Sequence, residues 1–294
     1  MKGYLSHKSA AVIWDIPCIE TILGEDISKS DITEVTVSEY NARHCAANKR
    51  IYSCVLPLPD GALTMRNGRM IASPELVFLE FANKLSIHRL ILLGLQLCSH
   101  TSASSSSSIT TKQKLNAFLA KTSGHRGHKK ALRAMKYVEN GSASIMESLA
   151  FMILGLPNAL GGYGLNGAVF NQIIELKGEA RKRLGQNNCF VDLYYKKERL
   201  GIEYESFAYH SRPSEQGKDI MRSAALERQG VNVMHLSTIQ LYDRGACLEF
   251  ACNLAVRLGR RIQIKTKRFD DMHTLLRELL PIRNSDSEQY SGGQ

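Results

Sequence analysis

The chain lacks a run of apolar residues long enough to cross a bilayer. Its best stretch, LILLGLQL at residues 90–97, falls far short of the ~20 residues a spanning helix needs. The first residues lead into no apolar signal core, which reads as a cytoplasmic protein. No Cys-x-x-Cys occurs among the seven scattered cysteines, and their odd number argues against a disulfide framework as well as a zinc ribbon. Gly161-Gly162-Tyr163-Gly164 is followed by no Walker Lys-Ser/Thr and comes after a helical pattern, so it reads as a flexible turn rather than a phosphate loop. There is no Gly-x-Ser-x-Gly elbow and no internal repeat. Acidic residues are missing from two long stretches. One runs through Lys112, Lys114, Lys121, Arg126, Lys129, Lys130, Arg133 and Lys136; the other through Arg257, Arg260, Arg261, Lys265, Lys267 and Arg268.

What is present is an ordinary globular composition, 44% hydrophobic and 22% charged over 294 residues, with a net charge of +10. That balance favours a polyanionic partner, nucleic acid before an anionic membrane, because neither basic run carries a strong apolar face. The order of patterns gives an α/β protein in four parts. Residues 1–100 form a smaller α+β module. In it, strand-like runs at 51–58 and 65–71 (turning at Asn67-Gly68) precede helices opening at Ser73-Pro74 and at Ser86. The second helix, through residue 97, is also a candidate surface for a partner protein or a second copy. Residues 101–141 combine a Ser-rich linker with a basic helical segment broken at Ser123-Gly124. Residues 142–283 read as helix, three strands, helix, strand, helix, and 284–294 as a disordered tail. The three strands suit a meander, and the fourth, returning through a crossover helix, should lie parallel to its neighbour.

The most informative stretch is CFVDLYYKKERLGIEYES, residues 189–206. It reads as two adjacent strands, 189–195 and 199–206, that carry Asp192 on one and Glu203 with Glu205 on one face of the other. Carboxylates gathered on neighbouring strands repel unless a cation or a proton lies between them. Hard oxygen ligands suit Mg²⁺ or Mn²⁺, which makes Asp192, Glu203 and Glu205 candidate metal ligands. Glu147, on the preceding helix, could complete the shell or orient a water. His210 has the reference pKa of a general acid or base, and equally of a structural hydrogen-bonding group. Asp219 and Arg222, three apart on a helix, could pair with each other or meet a phosphate. Lys112, Lys114, Arg126, Lys129, Lys130, Arg133 and Arg222 are candidate phosphate contacts, which position a backbone without reading its sequence.

These residues resemble the PD-(D/E)xK nuclease superfamily, the restriction-endonuclease-like fold, and most of all its branch related to very-short-patch-repair endonucleases. The resemblance rests on Ser144-Ile145-Met146-Glu147, Val191-Asp192-Leu193, Ile202-Glu203-Tyr204-Glu205-Ser206, His210, Asp219-x-x-Arg222, Leu226, Gly230 and Val233. It covers about a third of the chain well. More loosely, residues 73–141 resemble the upstream half of abortive-infection or toxin–antitoxin proteins. Glu205 stands where the superfamily usually has lysine. What the resemblance implies is a restriction-endonuclease-like core and Mg²⁺-dependent cleavage of DNA, in a defence setting. A nuclease fold that only binds nucleic acid, as a regulator, is the alternative.

Overall fold

The computed structural model describes residues 3–27, 31–39, 48–100, 108–205 and 213–282, except for the side chains of 180, 183 and 213–220. The Ser-rich stretch at 101–107, the tail and His210 lie outside the described residues.

The first half begins with β1 (Tyr4–Leu5), α1 (His7–Ile13), α2 (Ile19–Leu23), β2 (Thr33–Val37), β3 (Lys49–Ser53), β4 (Leu63–Arg66) and β5 (Arg69–Ala72). These strands form a mixed sheet in the order β3-β2-β1-β5-β4. β4 and β5 are the hairpin expected at Asn67-Gly68, and both turn residues have positive φ. The run at 51–58 is strand only as far as Ser53. The short early segment that forms β1 and α1 carries no strong periodicity and is not legible as structure in the sequence.

Four helices follow: α3 (Pro74–Ala82), α4 (Ile87–Leu97), α5 (Lys112–Ala120) and α6 (His128–Met135). Ser73, Ser86 and Thr111 cap α3, α4 and α5, each accepting the amide hydrogen bond of the third residue on. α4 is the centre of the main core: Leu90, Ile91, Leu92, Leu93, Leu95 and Leu97 are fully buried. That corrects the reading of this helix as a docking surface. An apolar stripe on an isolated helix looks the same whether it meets a partner or its own core. Leu115 of α5 and Ala131 of α6 join the same core, so the basic helices are packed against α3 and α4.

The second half contains α7 (Ile145–Gly155), β6 (Val169–Glu175), α8 (Gly178–Leu184), β7 (Asn188–Tyr195), β8 (Leu200–Glu205), α9 (Pro213–Arg228), β9 (Asn232–Ser237), α10 (Thr238–Tyr242), α11 (Arg244–Arg257) and α12 (Phe269–Arg277). Its sheet runs β6-β7-β8-β9. The first two pairings are antiparallel and β8 with β9 is parallel. The meander and the parallel return through a crossover helix are as the sequence pattern indicates; α8, α10 and α12 are additional. The molecule is thus α/β with two mixed sheets. No helix among the described residues is long and apolar enough to cross a membrane.

The turn at Gly161 to Gly164 is not a loose connection. It packs under α12, where Gly161 O accepts from the buried His273 ring at 2.7 Å, and Gly161, Gly162 and Tyr163 are buried. Glycine was read there as freedom; its actual use is close approach of two backbones.

A polar cluster is buried where α1 meets β1 and α3. His7 opens α1 at φ +47, and Glu80 of α3 accepts from His7 N at 2.9 Å and from Tyr4 Oη at 3.1 Å. Burial pushes the His7 imidazole down to about 3, with Lys84 acting the same way, and burial pushes the Glu80 carboxyl up to about 7. A folded-state histidine held below its ordinary 6.5 stabilises above that value, and the stability is lost as pH falls toward 3. A raised carboxyl has the opposite sign: its contribution is present below its ordinary 4.5 and lost as pH rises toward 7. Below pH 4.5, therefore, Glu80 no longer contributes, and of the cluster His7 and Glu34, whose carboxyl is held down against burial by hydrogen bonds from Tyr52 and Lys8 N, drive the change. His7→Asn keeps a residue type suited to positive φ. The variant is expected to lose less stability than wild type between pH 4.5 and 3 in urea denaturation; parallel curves would refute the buried neutral histidine.

Candidate active site

The site is assembled where the β7–β8 ladder ends. Tyr195–Leu200, Tyr194–Gly201 and Leu193–Ile202 are paired, and the same register would set Asp192 against Glu203. There the strands part, and the Asp192 carboxylate accepts the Tyr204 amide at 2.8 Å in place of a main-chain partner. A carboxylate between two strand backbones is poorly hydrated. Burial accordingly raises the Asp192 pKa, while the Tyr204 amide and Arg222 oppose the shift.

Glu147 reaches the same place from α7. Ser144 caps that helix, accepting from Glu147 N at 3.1 Å. The Glu147 carboxylate accepts from Ala143 N at 3.0 Å, from Ser144 Oγ at 3.0 Å and from Asn171 Nδ2 at 2.9 Å. Burial raises its pKa, and the neighbouring Asp192 charge adds to that. Asn171 ties Glu147 to the strand beside Asp192. It falls opposite Asp192 in the β6–β7 register, has φ +44, and also donates to Gly141 O at 2.8 Å. No motif in the sequence marks Asn171. The available signal was an asparagine inside the otherwise strand-forming VFNQII, a residue type depleted in strands and tolerant of positive φ.

Glu203 faces α9, where Arg222 Nη2 donates to it at 2.9 Å and also to Phe190 O. Glu205 turns to β9 and meets His235 Nδ1 at 2.6 Å; His235 was not singled out from sequence. The expected cluster of Asp192, Glu203 and Glu205 is therefore spread out. Asp192 lies at the parting of the strands, Glu203 on Arg222, and Glu205 on His235. Among the described residues, no group of three His, Cys, Asp or Glu side chains could hold a metal ion. His210 and the Asp219 side chain, both named from the sequence, lie outside the described residues. The donor chemistry still suits a hard cation, since Mg²⁺ is commonly held by one or two carboxylates with water and substrate phosphate completing its shell. Asp192 and Glu203, which the extended register sets opposite each other, are the candidates for such a pair.

The basic residues divide. Lys114, Arg126, Lys129 and Arg133 are exposed on α5, α6 and the turn between them. Lys112 is committed to Glu139 at 2.8 Å, and Lys130 Nζ donates to Leu85 O, with burial lowering its pKa. A linear charge count cannot see that a lysine's ammonium has turned inward to a carbonyl. Lys112 N donates to Asn140 Oδ1 at 2.8 Å, one residue before the Gly141 held by Asn171, so the start of α5 is tied to the acidic site.

Comparison with protein-family models, with curated proteins and with solved structures returns no match to this chain.

Proposed function

We propose that the chain is a Mg²⁺- or Mn²⁺-dependent endonuclease that hydrolyses DNA phosphodiester bonds in the cytoplasm, on a restriction-endonuclease-like core. What supports this reading is Asp192 at the parting of β7 and β8, one step beyond the Leu193–Ile202 pair and so toward Glu203, with Glu147 buried beside it. Asp192 and Glu203 would hold the divalent ion. When bound, the ion would polarise a phosphoryl oxygen and lower the pKa of a water. Asn171 and the cap at Ser144 fix the Glu147 carboxylate, so that it acts on the orientation of a neighbouring group and not as a mobile acid. Lys114, Arg126, Lys129 and Arg133 would meet backbone phosphates. Glu205, occupied by His235, is left a supporting role. The defence setting rests on the sequence resemblance alone.

A second reading has its own observation. Each strand carboxylate has a protein donor: the Tyr204 amide for Asp192, Arg222 for Glu203 and His235 for Glu205. A nuclease fold whose acids are neutralised internally would bind nucleic acid as a regulator without cutting it.

Incubating the purified chain with linear and supercoiled DNA, in Mg²⁺, Mn²⁺ or EDTA, separates the two. Cleavage that requires a divalent ion is the expected result. Binding that weakens steeply with salt but never cuts would favour the regulator. Neither cleavage nor salt-dependent binding would defeat both.

A further inference from the structure

A cavity of about 500 Å³ lies between β1, the segment after β3, α3 and the α5–α6 turn. That is within the ~300–1,000 Å³ typical of small-molecule sites. Its walls are apolar: Leu76 and Leu79 of α3 on one side, and Val55 and Leu56, largely exposed, at the lip. Glu80 is also part of its lining, with a side chain only 9% exposed. Each Glu80 oxygen accepts one internal hydrogen bond, from Tyr4 or from His7, and a carboxylate oxygen can accept a second. The burial that pushes this carboxyl up to about 7 makes a ligand N–H partner valuable, because such a bond stabilises the charged form.

At its mouth the cavity shares Asn83, Gly124 and His125 with a second hollow of about 460 Å³, lined also by Gly127, His128, Lys129 and Lys130. This second hollow lies at the start of α6. That helix has no side-chain cap and no acid in its first turn, and its N-cap Gly127 has φ +83. Arg126 lines the first cavity beside His125. One hollow therefore offers an apolar slot ending in a hydrogen-bond acceptor; the adjoining one offers cationic side chains and helix-opening amides. Cys54 lies 3.8 Å from His125 Nδ1, but burial raises its thiol pKa, so the pair is not a thiolate nucleophile at neutral pH.

We propose that the two hollows form one nucleotide site, with a guanine base in the apolar slot against Glu80 and the phosphate on Arg126, Lys129 and the amides opening α6. Guanine is the best match because its pairing edge presents two N–H donors to one carboxylate, where adenine presents a single amino group beside a ring acceptor. The site uses none of the residues around Asp192; it shares Arg126 and Lys129 with the phosphate contacts proposed above, while Glu80 and the apolar slot belong to it alone.

The test is calorimetry on the full chain with guanosine 5′-monophosphate, adenosine 5′-monophosphate and an oligonucleotide beginning with a 5′-phosphorylated guanosine. Saturable binding of the guanine nucleotide is expected, at least about tenfold tighter than the adenine nucleotide. Glu80→Gln and Arg126→Ala should each weaken it by about tenfold or more. Leu56→Trp, at the exposed lip, should block it. Arg126 and Leu56 are exposed, so these two variants keep the test valid if Glu80→Gln does not fold. Tighter binding of the oligonucleotide would assign the site to strand ends, and tighter binding of the mononucleotide to free nucleotide; both support it. No binding at millimolar nucleotide, equal binding of the two bases, or binding indifferent to Arg126→Ala and Leu56→Trp would overturn it.

Discussion

Asp192→Asn is expected to reduce divalent-dependent DNA cleavage by about 100-fold or more while the protein stays folded. Asparagine keeps an oxygen able to accept from Tyr204 N, so the parting of β7 and β8 retains this bridging hydrogen bond. What disappears is the negative charge and the hard oxygen ligand. Burial already opposes the charged form of Asp192, so neutralising the side chain costs little stability. Arg222→Met refines the experiment. The guanidinium sits on Glu203 and holds the Asp192 pKa down, which places it close to where a divalent ion would go. Removing it should raise Mn²⁺ affinity by about tenfold or more, since a fixed cation no longer competes. Calorimetric Mn²⁺ titration of both variants reads this without any activity. Full cleavage by Asp192→Asn would remove the site assignment. Unchanged Mn²⁺ affinity in Arg222→Met would show that the guanidinium does not compete with the ion.

The second large effect is structural. Gly162→Ala should destabilise the fold by about 3 kcal/mol or more, out of the ~5–15 kcal/mol that holds a domain together. A Cβ there would lie closer than 3.0 Å to the main chain of Leu156, and main chain cannot step aside as a side-chain tip can. The carbonyl it meets belongs to the residue that ends α7, so relief would shift the helix that presents Glu147. Gly164→Ala is the control. It has φ +78 with nothing nearer than Asn158 Nδ2 at 3.9 Å, so it carries only the left-handed backbone cost of ~1–2 kcal/mol. Urea denaturation of the two variants measures the difference, and equal losses would show that the close approach is not what the glycine serves.

The sequence by itself determined a good deal. Caps at Ser73, Ser86 and Ser144 are local chemistry and mark helix starts wherever the chain goes. Strand alternation around Asp192 and the Gly230 stop after α9 fixed the meander and its crossover, because short connections and handedness leave few topologies. That Glu147 and Asp192 come near one another was also legible, from a helix and a strand more than forty residues apart.

Only the tertiary structure decided what those side chains face. The parting of β7 from β8, the positive φ of Asn171 and the reach of Arg222 from α9 set the charge balance of the site, and none of these is a periodic signal. The same holds for α4, whose apolar pattern became core when α3, α6 and α7 closed round it, and for Gly161, whose role depends on α12 more than a hundred residues later. The pocket at Glu80 joins Tyr4 to Arg126. A cavity is made of distances between elements, and a linear pattern records only spacing within them.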